Sequence, residues 1–461
     1  MAPLTVKVSL GDRLGIRNEA AVRSTLHHLS RVKHLSLAQG QFEGYDGPEE
    51  FKSLIRLLDA PAPLLETLDV TFRYGRNDES SLPVNLFSGN APRLANLRIS
   101  RCGLNWRSPI FANLRSLKVI DPPVALRPPA DQFLSALSSI PRLEILEFRS
   151  DFASTGGAVV PHVSTAVLPL LTNLTIASPL LNAVLLLNHI TYPTTACVAI
   201  TCAIDGFRQD SDRNLSVVHG LASLLGGRVD GPIRSLAVHE QGIRAWTSPG
   251  IEPSVFSADK PQLSLDFSPL HTSSDHINDI TQNVLRPLPL RHVESLLIQC
   301  VPLPETAWLD HFGGLARLKT LHVGSDPFGF LNAFSTGTSA ALEQSRQAGS
   351  PKFKALRTLG ISDWTFDEFH GPHVPGGRRT SCFESLVSCL KARRKEGVAL
   401  SELVVEDCHH VDEADISDLE KIVAKVEWDR EANYTEEEEP EYESDEYYDD
   451  GFAPFFNAYW Y

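Results

Sequence analysis

The chain has 461 residues, of which 42% are apolar and 21% charged, a composition that supports a folded body. Its net charge of −15 is uneven, because residues 427–461 hold 13 acidic residues and one arginine while residues 1–426 carry only −3. A nearly neutral body with an acidic end lacks the basic stripe of a nucleic-acid-binding protein, so no nucleic acid is expected as a partner.

The cysteine content and the first residues favour an intracellular location. The seven cysteines form no Cys-x-x-Cys pair, and the start has no basic-then-apolar leader. Reduced thiols in a cytoplasmic or nuclear protein are therefore expected. The most apolar run, Leu180 to Ile190, is far shorter than the roughly 20 residues that span a bilayer, so it predicts a buried helix and no membrane partner.

A short hydrophobic pattern recurs along the chain. It reads Pro, any residue, Leu, two variable residues, Leu, one residue and then Val, Ile or Phe, and it begins at Pro63, Pro92, Pro141 and Pro169. Its apolar part has eleven matches, which start at Val32, Leu65, Leu94, Leu114, Leu143, Leu171, Ile233, Val293, Leu318, Leu356 and Leu400.

Two gaps in this series are about twice too long, and each contains a weaker strand-like segment, Thr195–Thr201 or Leu263–Phe267. These segments are either further units or irregular loops. As units they bring the total to thirteen, each of roughly 20–45 residues, which is the signature of a solenoid.

Each unit predicts a short strand that follows a helix. In Leu97-Arg98-Ile99 the side chains alternate between two faces, so Leu97 and Ile99 turn toward a core. Apolar residues at helical spacing lie between strands, for example at 51–58 and 133–140. The proline ends the helix because it supplies no backbone donor. The predicted fold is therefore α/β, with short parallel strands on one face and helices on the other.

The pattern resembles the leucine-rich repeat. Two units also carry that family's small polar closer, at Cys102 in Leu94-x-x-Leu97-x-Ile99-x-x-Cys102 and at Cys408 after Leu400. The resemblance implies a horseshoe-like solenoid with strands on its concave face, in which this cysteine turns inward and bonds neighbouring backbone. Most units lack the closer, so the expected leucine-rich-repeat solenoid is irregular.

A narrower resemblance is to fungal F-box/leucine-rich-repeat proteins. It covers most of residues 1–428 and is carried by the opening strand Ala2 to Leu10, the block Cys382 to Gly397, the unit Leu400 to Cys408, and an amphipathic helix that ends at Val426-Glu-Trp428. It implies substrate recognition for an SCF-type ubiquitin ligase. Since Met1 opens directly on the first strand, Skp1 is expected as a partner only if an F-box lies upstream. The alternative is a ligase-independent scaffold, a truncated relative.

The end of the predicted solenoid reads as a helical cap over about 381–428. Ser381 and Glu384 form a capping-box pattern, and Asp412 is a second candidate cap. A basic run, Lys391 to Lys395, complements the dipole of the helix end; a nuclear-localisation patch or a docking site for the acidic end are the alternatives.

Residues 429–461 are predicted to form a disordered tail. They combine acidic runs with ten aromatic side chains, from Tyr434 to Tyr461. The tail is either solubilising, or its aromatic residues dock on a partner or on the body.

No enzyme motif is present. The sequence has no phosphate loop and no nucleophile signature, and Cys408-His409-His410 cannot all face one metal ion. We therefore expect no catalytic residue, metal or cofactor, and a monomer that binds an unidentified protein partner.

The repeat predicts which side chains this partner meets. The residue between the last two inward positions of each unit points to the open face. These residues are Ser36, Asp69, Arg98, Lys118, Glu147, Thr175, Ala237, Leu297, His322, Gly360 and Val404. The first half is charged and the second more apolar, and Leu297 and Val404 are either an exposed patch or covered.

Overall fold

The structure is a computed structural model that describes residues 4–10, 22–39, 47–72, 81–153, 165–203, 211–248, 259–268, 274–324, 327–336, 351–368 and 380–430. The strands in these ranges are β1 (Leu4–Leu10), β2 (Val32–Gln39), β3 (Thr67–Thr71), β4 (Asn96–Ser100), β5 (Ser116–Ile120), β6 (Ile145–Arg149), β7 (Ala166–Val167), β8 (Asn173–Pro179), β9 (Ile190–Thr191), β10 (Cys197–Ala203), β11 (Ser235–His239), β12 (Gly242–Trp246), β13 (Leu263–Ser268), β14 (Ser295–Gln299), β15 (Thr320–Gly324), β16 (Thr358–Ser362), β17 (Glu402–Glu406) and β18 (Lys425–Trp428).

The helices alternate with the strands. The α-helices are Gly47–Ile55, Ala130–Ser138, Leu180–Asn188, Ser211–Gly226, Ser274–Leu285, Glu305–His311, Pro327–Ser335, Cys382–Lys395 and Glu413–Glu420. Shorter 3₁₀ helices are Leu29–Arg31, Arg56–Asp59, Leu86–Gly89, Pro109–Asn113, Val124–Leu126 and Leu290–His292. In the described residues, the units before β4 and β5 carry 3₁₀ turns where a helix was expected.

The strands form one large sheet. Its sixteen strands run in the order β1-β2-β3-β4-β5-β6-β8-β10-β13-β12-β11-β14-β15-β16-β17-β18. Every neighbouring pair is parallel except the two that involve β12, which is antiparallel to both β11 and β13. Strands β7 and β9 pair separately. The fold is thus mixed α/β with a large, mostly parallel sheet.

All thirteen predicted units supply a strand of this sheet, including the two weak segments, which form β10 and β13 rather than loops. The order of the strands in the sheet departs from the chain order at one place. β13 lies beside β10, and β11 lies beside β14, with β12 between them. The reason is a hairpin: β11 and β12 turn back on each other, so the chain re-enters the sheet with β13 on the earlier side.

The recurring proline lies in a tight turn before the strand. The Leu65 amide donates to the Ala62 carbonyl at 3.1 Å, which places Pro63 at the second position of a four-residue turn. The same bond recurs in the unit of Pro92. Proline suits this position because its fixed φ is the one such a turn requires.

The core lies between the sheet and the helices. In each strand the predicted inward leucines are essentially inaccessible, and so are the helix residues that face them, such as Phe51, Leu54, Phe133 and Leu137. Each such side chain contributes about 1.5–3 kcal/mol through removal of apolar surface from water. The closers Cys102 and Cys408 are also buried, and the Cys408 thiol donates to the Ile361 carbonyl of β16 at 3.8 Å.

A backbone feature that the sequence did not reveal marks the ends of several strands. The residue directly after β4, β5, β14, β16 and β17 has a positive φ between 46° and 59°. These residues are Arg101, Asp121, Cys300, Asp363 and Asp407. Aspartate tolerates this left-handed conformation better than most residues, which accounts for three of the five.

The closing end matches the prediction in its caps and departs from it in its last element. Ser381 and Asp412 both cap helices with reciprocal hydrogen bonds to Glu384 and Asp415. The amphipathic helix predicted to end at Trp428 stops at Glu420, and Lys425–Trp428 forms β18 instead. Residues 425–428 alternate polar and apolar, which suits an edge strand that pairs with β17.

The run Leu180 to Ile190 is also only partly as predicted. It forms a helix to Asn188, but one side faces solvent and Leu181 is 58% exposed. Within the described ranges no helix is both long and apolar enough to cross a bilayer. The predicted tail, apart from Asp429 and Arg430, lies outside the described residues.

Candidate binding surface

The eleven predicted surface residues lie in one continuous row across the sheet. Strand pairing connects Ser36, Asp69, Arg98, Lys118, Glu147 and Thr175 in unbroken register, and likewise Ala237, Leu297, His322, Gly360 and Val404. The row also contains five residues that the repeat did not supply: Lys7, Ala199, Ser264, Arg244 and Glu427. We call these sixteen residues the central row.

The central row lies on the face of the sheet opposite the core. In β4, Leu97 and Ile99 are each 1% exposed, whereas Arg98 between them is exposed. The same alternation holds in β3 and β6, as strand geometry requires. The row is therefore open to solvent along much of its length.

The half of the row that comes first in the chain is a set of mixed charges. Glu147 accepts a hydrogen bond from Arg149 Nε at 2.7 Å and lies 3.2 Å from Lys118 Nζ. Burial would raise the pKa of Glu147, but the bonds from Arg149 and Lys118 outweigh it and lower this pKa. The exposed Arg98 has no carboxylate partner within 4.0 Å among the described residues.

The other half of the row is more apolar, and part of it is covered. Ala237, Leu297 and Trp246 form a small cluster separate from the main core. Trp246 lies on the outer side of β12, because Ala245 beside it faces the core, and its indole N–H donates to the Asp259 carbonyl at 3.0 Å. Leu297 is thus buried, while Val404 stays partly exposed.

His322 and Gly360 form a specific feature between these two residues. The His322 imidazole lies directly against Gly360, so that a Cβ added to Gly360 would overlap the ring. Only glycine leaves room for the imidazole in this position. The ring therefore covers Gly360 and fills the row between Leu297 and Val404.

The side chains of Cys408, His409 and His410 point to different places and do not meet at one point. Cys408 faces the core, while His409 Nε2 lies 3.5 Å from Asp363 and His410 Nδ1 lies 3.4 Å from Asp367. In the part of the chain that the structure covers, no group of three metal-ligating side chains comes together. The thiols of Cys102, Cys202, Cys382 and Cys389 are protonated at neutral pH, because burial raises their pKa to about 12.

Two cavities in the described part of the chain are alternative sites to the central row. One, of only about 10 Å³, places Tyr192 beside Arg228, whose guanidinium lies 5.1 Å from the centre of the ring. The other, of about 310 Å³, is lined by Leu82, Val84 and their neighbours and contains no titratable side chain. Neither brings a nucleophile next to a base, so the central row stays the candidate surface.

Comparison with known proteins does not assign this chain to a family. No family model matches this chain, and no curated protein matches it.

Proposed function

We propose that this chain is an irregular leucine-rich-repeat solenoid that recognises a protein partner through its central row, without catalysis. In this proposal the strands form the concave face of a horseshoe-like body and the helices form its convex face. The observation that carries the proposal is the central row itself: sixteen residues in one register, one per strand, on the face of the sheet opposite the core.

The composition of the row supports a protein rather than a nucleic acid as the partner. Arg98 and Lys118 are flanked by Asp69 and Glu147, so the charged half has no single sign. The other half is small and apolar around His322 and Gly360. Mixed charge next to apolar surface is typical of protein interfaces, whereas phosphate contacts need clustered cations.

The resemblance to F-box/leucine-rich-repeat proteins suggests a more specific role. In that case the row recognises substrates of an SCF-type ubiquitin ligase, and the protein acts in the cytoplasm or nucleus. The seven cysteines, all among the described residues, form no disulfide with one another, which is compatible with a reducing compartment. The second candidate is a ligase-independent scaffold that uses the same row.

Site-specific photocrosslinking tests the central proposal. A photoreactive amino acid at Thr175 or Val404, both in the row, is expected to capture the same partner from extracts of the source organism. A probe at Leu181, which is exposed on a helix, serves as the matched control. Partner capture by the probe at Thr175 should fall about tenfold when Arg98 is replaced by Glu. It should stay unchanged in an Arg142→Glu variant, because Arg142 is exposed but lies outside the row. Equal capture from Leu181 would refute the proposal.

Binding to purified Skp1 separates the two roles. Stable association of Skp1 with the protein as the source organism makes it, including any segment upstream of Met1, supports the ligase role. If Skp1 fails to bind while the row still captures its partner, the scaffold role is favoured.

A further inference from the structure

A basic edge of the sheet lies away from the central row. Because β11 and β14 to β18 are mutually parallel, the segments that precede them lie at the same edge. We call six exposed cations in these segments the basic rim: Arg291, Arg317, Lys354, Arg357, Lys395 and Lys421. They come from separate stretches of the chain, and only Lys395 belongs to the basic run that the sequence singled out.

Two hydrogen-bonded contacts hold these stretches together. Buried Arg393 donates to the Lys352 and Phe353 carbonyls at 2.8 and 2.9 Å, which ties the segment before β16 to the end of the helix Cys382–Lys395. Arg394 then donates to the Lys421 carbonyl at 2.8 Å. The cations before β16, β17 and β18 therefore form one continuous surface.

Three carboxylates at this edge are already paired, whereas the exposed Glu396 and Glu420 make no ion pair with a described residue. Glu294 lies 2.7 Å from Lys319 and 3.5 Å from Arg234, and Glu402 lies 2.6 Å from Lys425. Asp418 pairs with Lys421 at 2.6 Å.

The remaining rim cations are unopposed. Arg317, Lys354, Arg357 and Lys395 have no carboxylate within 4.0 Å among the residues that the structure describes. Burial and then the charges of Arg317, Arg291 and Arg234 lower the pKa of His292, as convergent cations should.

We propose that the acidic segment 431–450 of the same chain occupies the basic rim. This segment has eleven Asp and Glu residues and no Lys or Arg, so it complements the rim in charge. Its link to the body also raises its local concentration to about the millimolar range without a strong contact. Docking at the rim leaves the central row open to a partner.

The length of the connection fits this occupant. The tail leaves the sheet after Arg430, at the far end of β18, and the rim lies at the opposite edge. The tail must cross from the end of β18 to the rim, a distance similar to the length of the helix Cys382–Lys395, whose 14 residues span about 21 Å. A chain spans at most about 3.3 Å per residue, so the 20 residues of segment 431–450 have a maximum reach of about 66 Å, which is enough for its carboxylates to contact Lys395 and Lys421.

Zero-length carbodiimide crosslinking of the intact chain tests the proposal, because it joins lysine amines only to carboxylates in contact. Mass spectrometry of the monomer fraction is expected to find Glu436–Glu439 joined to Lys354, Lys395 or Lys421. At about 0.5 M NaCl these links should fall at least fivefold, because the contact is electrostatic and screened. A variant with Lys354→Glu and Arg357→Glu should reduce the links at Lys395 and Lys421 by a similar factor.

A matched variant with Lys7→Glu and Arg98→Glu, two exposed central-row cations, should leave these links unchanged. Tail links to Lys7 or Lys118 instead of the rim would overturn the proposal, since the tail would then cover the central row. Links found only between two copies, or no tail links at all, would also overturn it. A labelled oligonucleotide that binds the intact chain while tail links are absent would assign the rim to nucleic acid.

Discussion

The buried Arg393 yields the most quantitative prediction. Its side chain is fully inaccessible, donates to two backbone carbonyls, and places its guanidinium 4.2 Å from the centre of the Phe334 ring. Burial lowers the pKa of Arg393 to about 10, so it remains charged at neutral pH. Each hydrogen bond from a charged donor is worth about 1.5–3 kcal/mol, and a desolvated cation–π contact about 2 kcal/mol.

Replacement of Arg393 by Met tests whether these contacts outweigh the cost of burying the charge. Met keeps much of the side-chain volume but removes the Arg393 bond from the Lys352 carbonyl and leaves the Phe353 carbonyl with only the Leu356 amide as donor. The variant no longer bears the desolvation cost of the buried charge, which is several kcal/mol and offsets part of the lost contacts. The net loss in unfolding free energy is therefore about 2–4 kcal/mol. Arg393→Lys should cost about 1–2 kcal/mol, because an ammonium group cannot donate to both carbonyls in the same geometry.

Urea unfolding followed by circular dichroism measures these losses, with Arg394→Met as the matched control. Arg394 is exposed and makes one backbone contact, so its loss should stay below about 1 kcal/mol. Hydrogen exchange of the amides in β16 should rise in Arg393→Met and not in Arg394→Met. Equal unfolding midpoints for the two variants would show that the two carbonyl bonds do not stabilise the fold.

Three further predictions use other features. Gly242→Ala should destabilise the protein by about 2–3 kcal/mol in urea, because its Cβ would overlap the Leu265 carbonyl oxygen, whereas Gly220→Ala, in a helix with open space, should stabilise it by about 0.5–1 kcal/mol. Iodoacetamide at pH 8 should label Cys300, the exposed thiol, well before the five buried ones; rapid labelling of all seven would contradict the burial. Folding lowers the pKa of Glu147, so its stabilisation of the folded state is full above its unfolded pKa and is lost as pH falls through its folded pKa. Wild type and Glu147→Gln should therefore differ in urea midpoint at pH 7 and have the same midpoint in acid.

The repeat predicted the strands and the outer row well, for a physical reason. Inward residues such as Leu97 and Ile99 must alternate with outward ones, so a regular apolar pattern fixes which face Arg98 occupies. The same argument placed all eleven surface residues in one register, even across the reversed strands. Whether the row binds a partner stays a prediction.

What the pattern could not supply was strand order and long-range contact. β11 and β13 carry similar apolar patterns, so nothing in either reveals which of them lies next to β10. The apolar spacing from Ile416 to Val426 suited a helix, and only pairing with β17 makes Lys425–Trp428 a strand. Arg393 read as one of several surface cations, because its burial depends on a segment some forty residues away.

The reversed strands also bear on how the protein can form during synthesis. Up to β10, each new strand of the large sheet finds its neighbour already in place, so this sheet can grow as the chain leaves the ribosome. β11 and β12 break this order, because the free edge of β10 accepts only β13. The nascent chain must therefore hold a detached hairpin until Ser268 has emerged. Between the synthesis of β10 and that of β13, the edge of β10 is unpaired. This interval is therefore the stage of synthesis most exposed to mispairing with another chain.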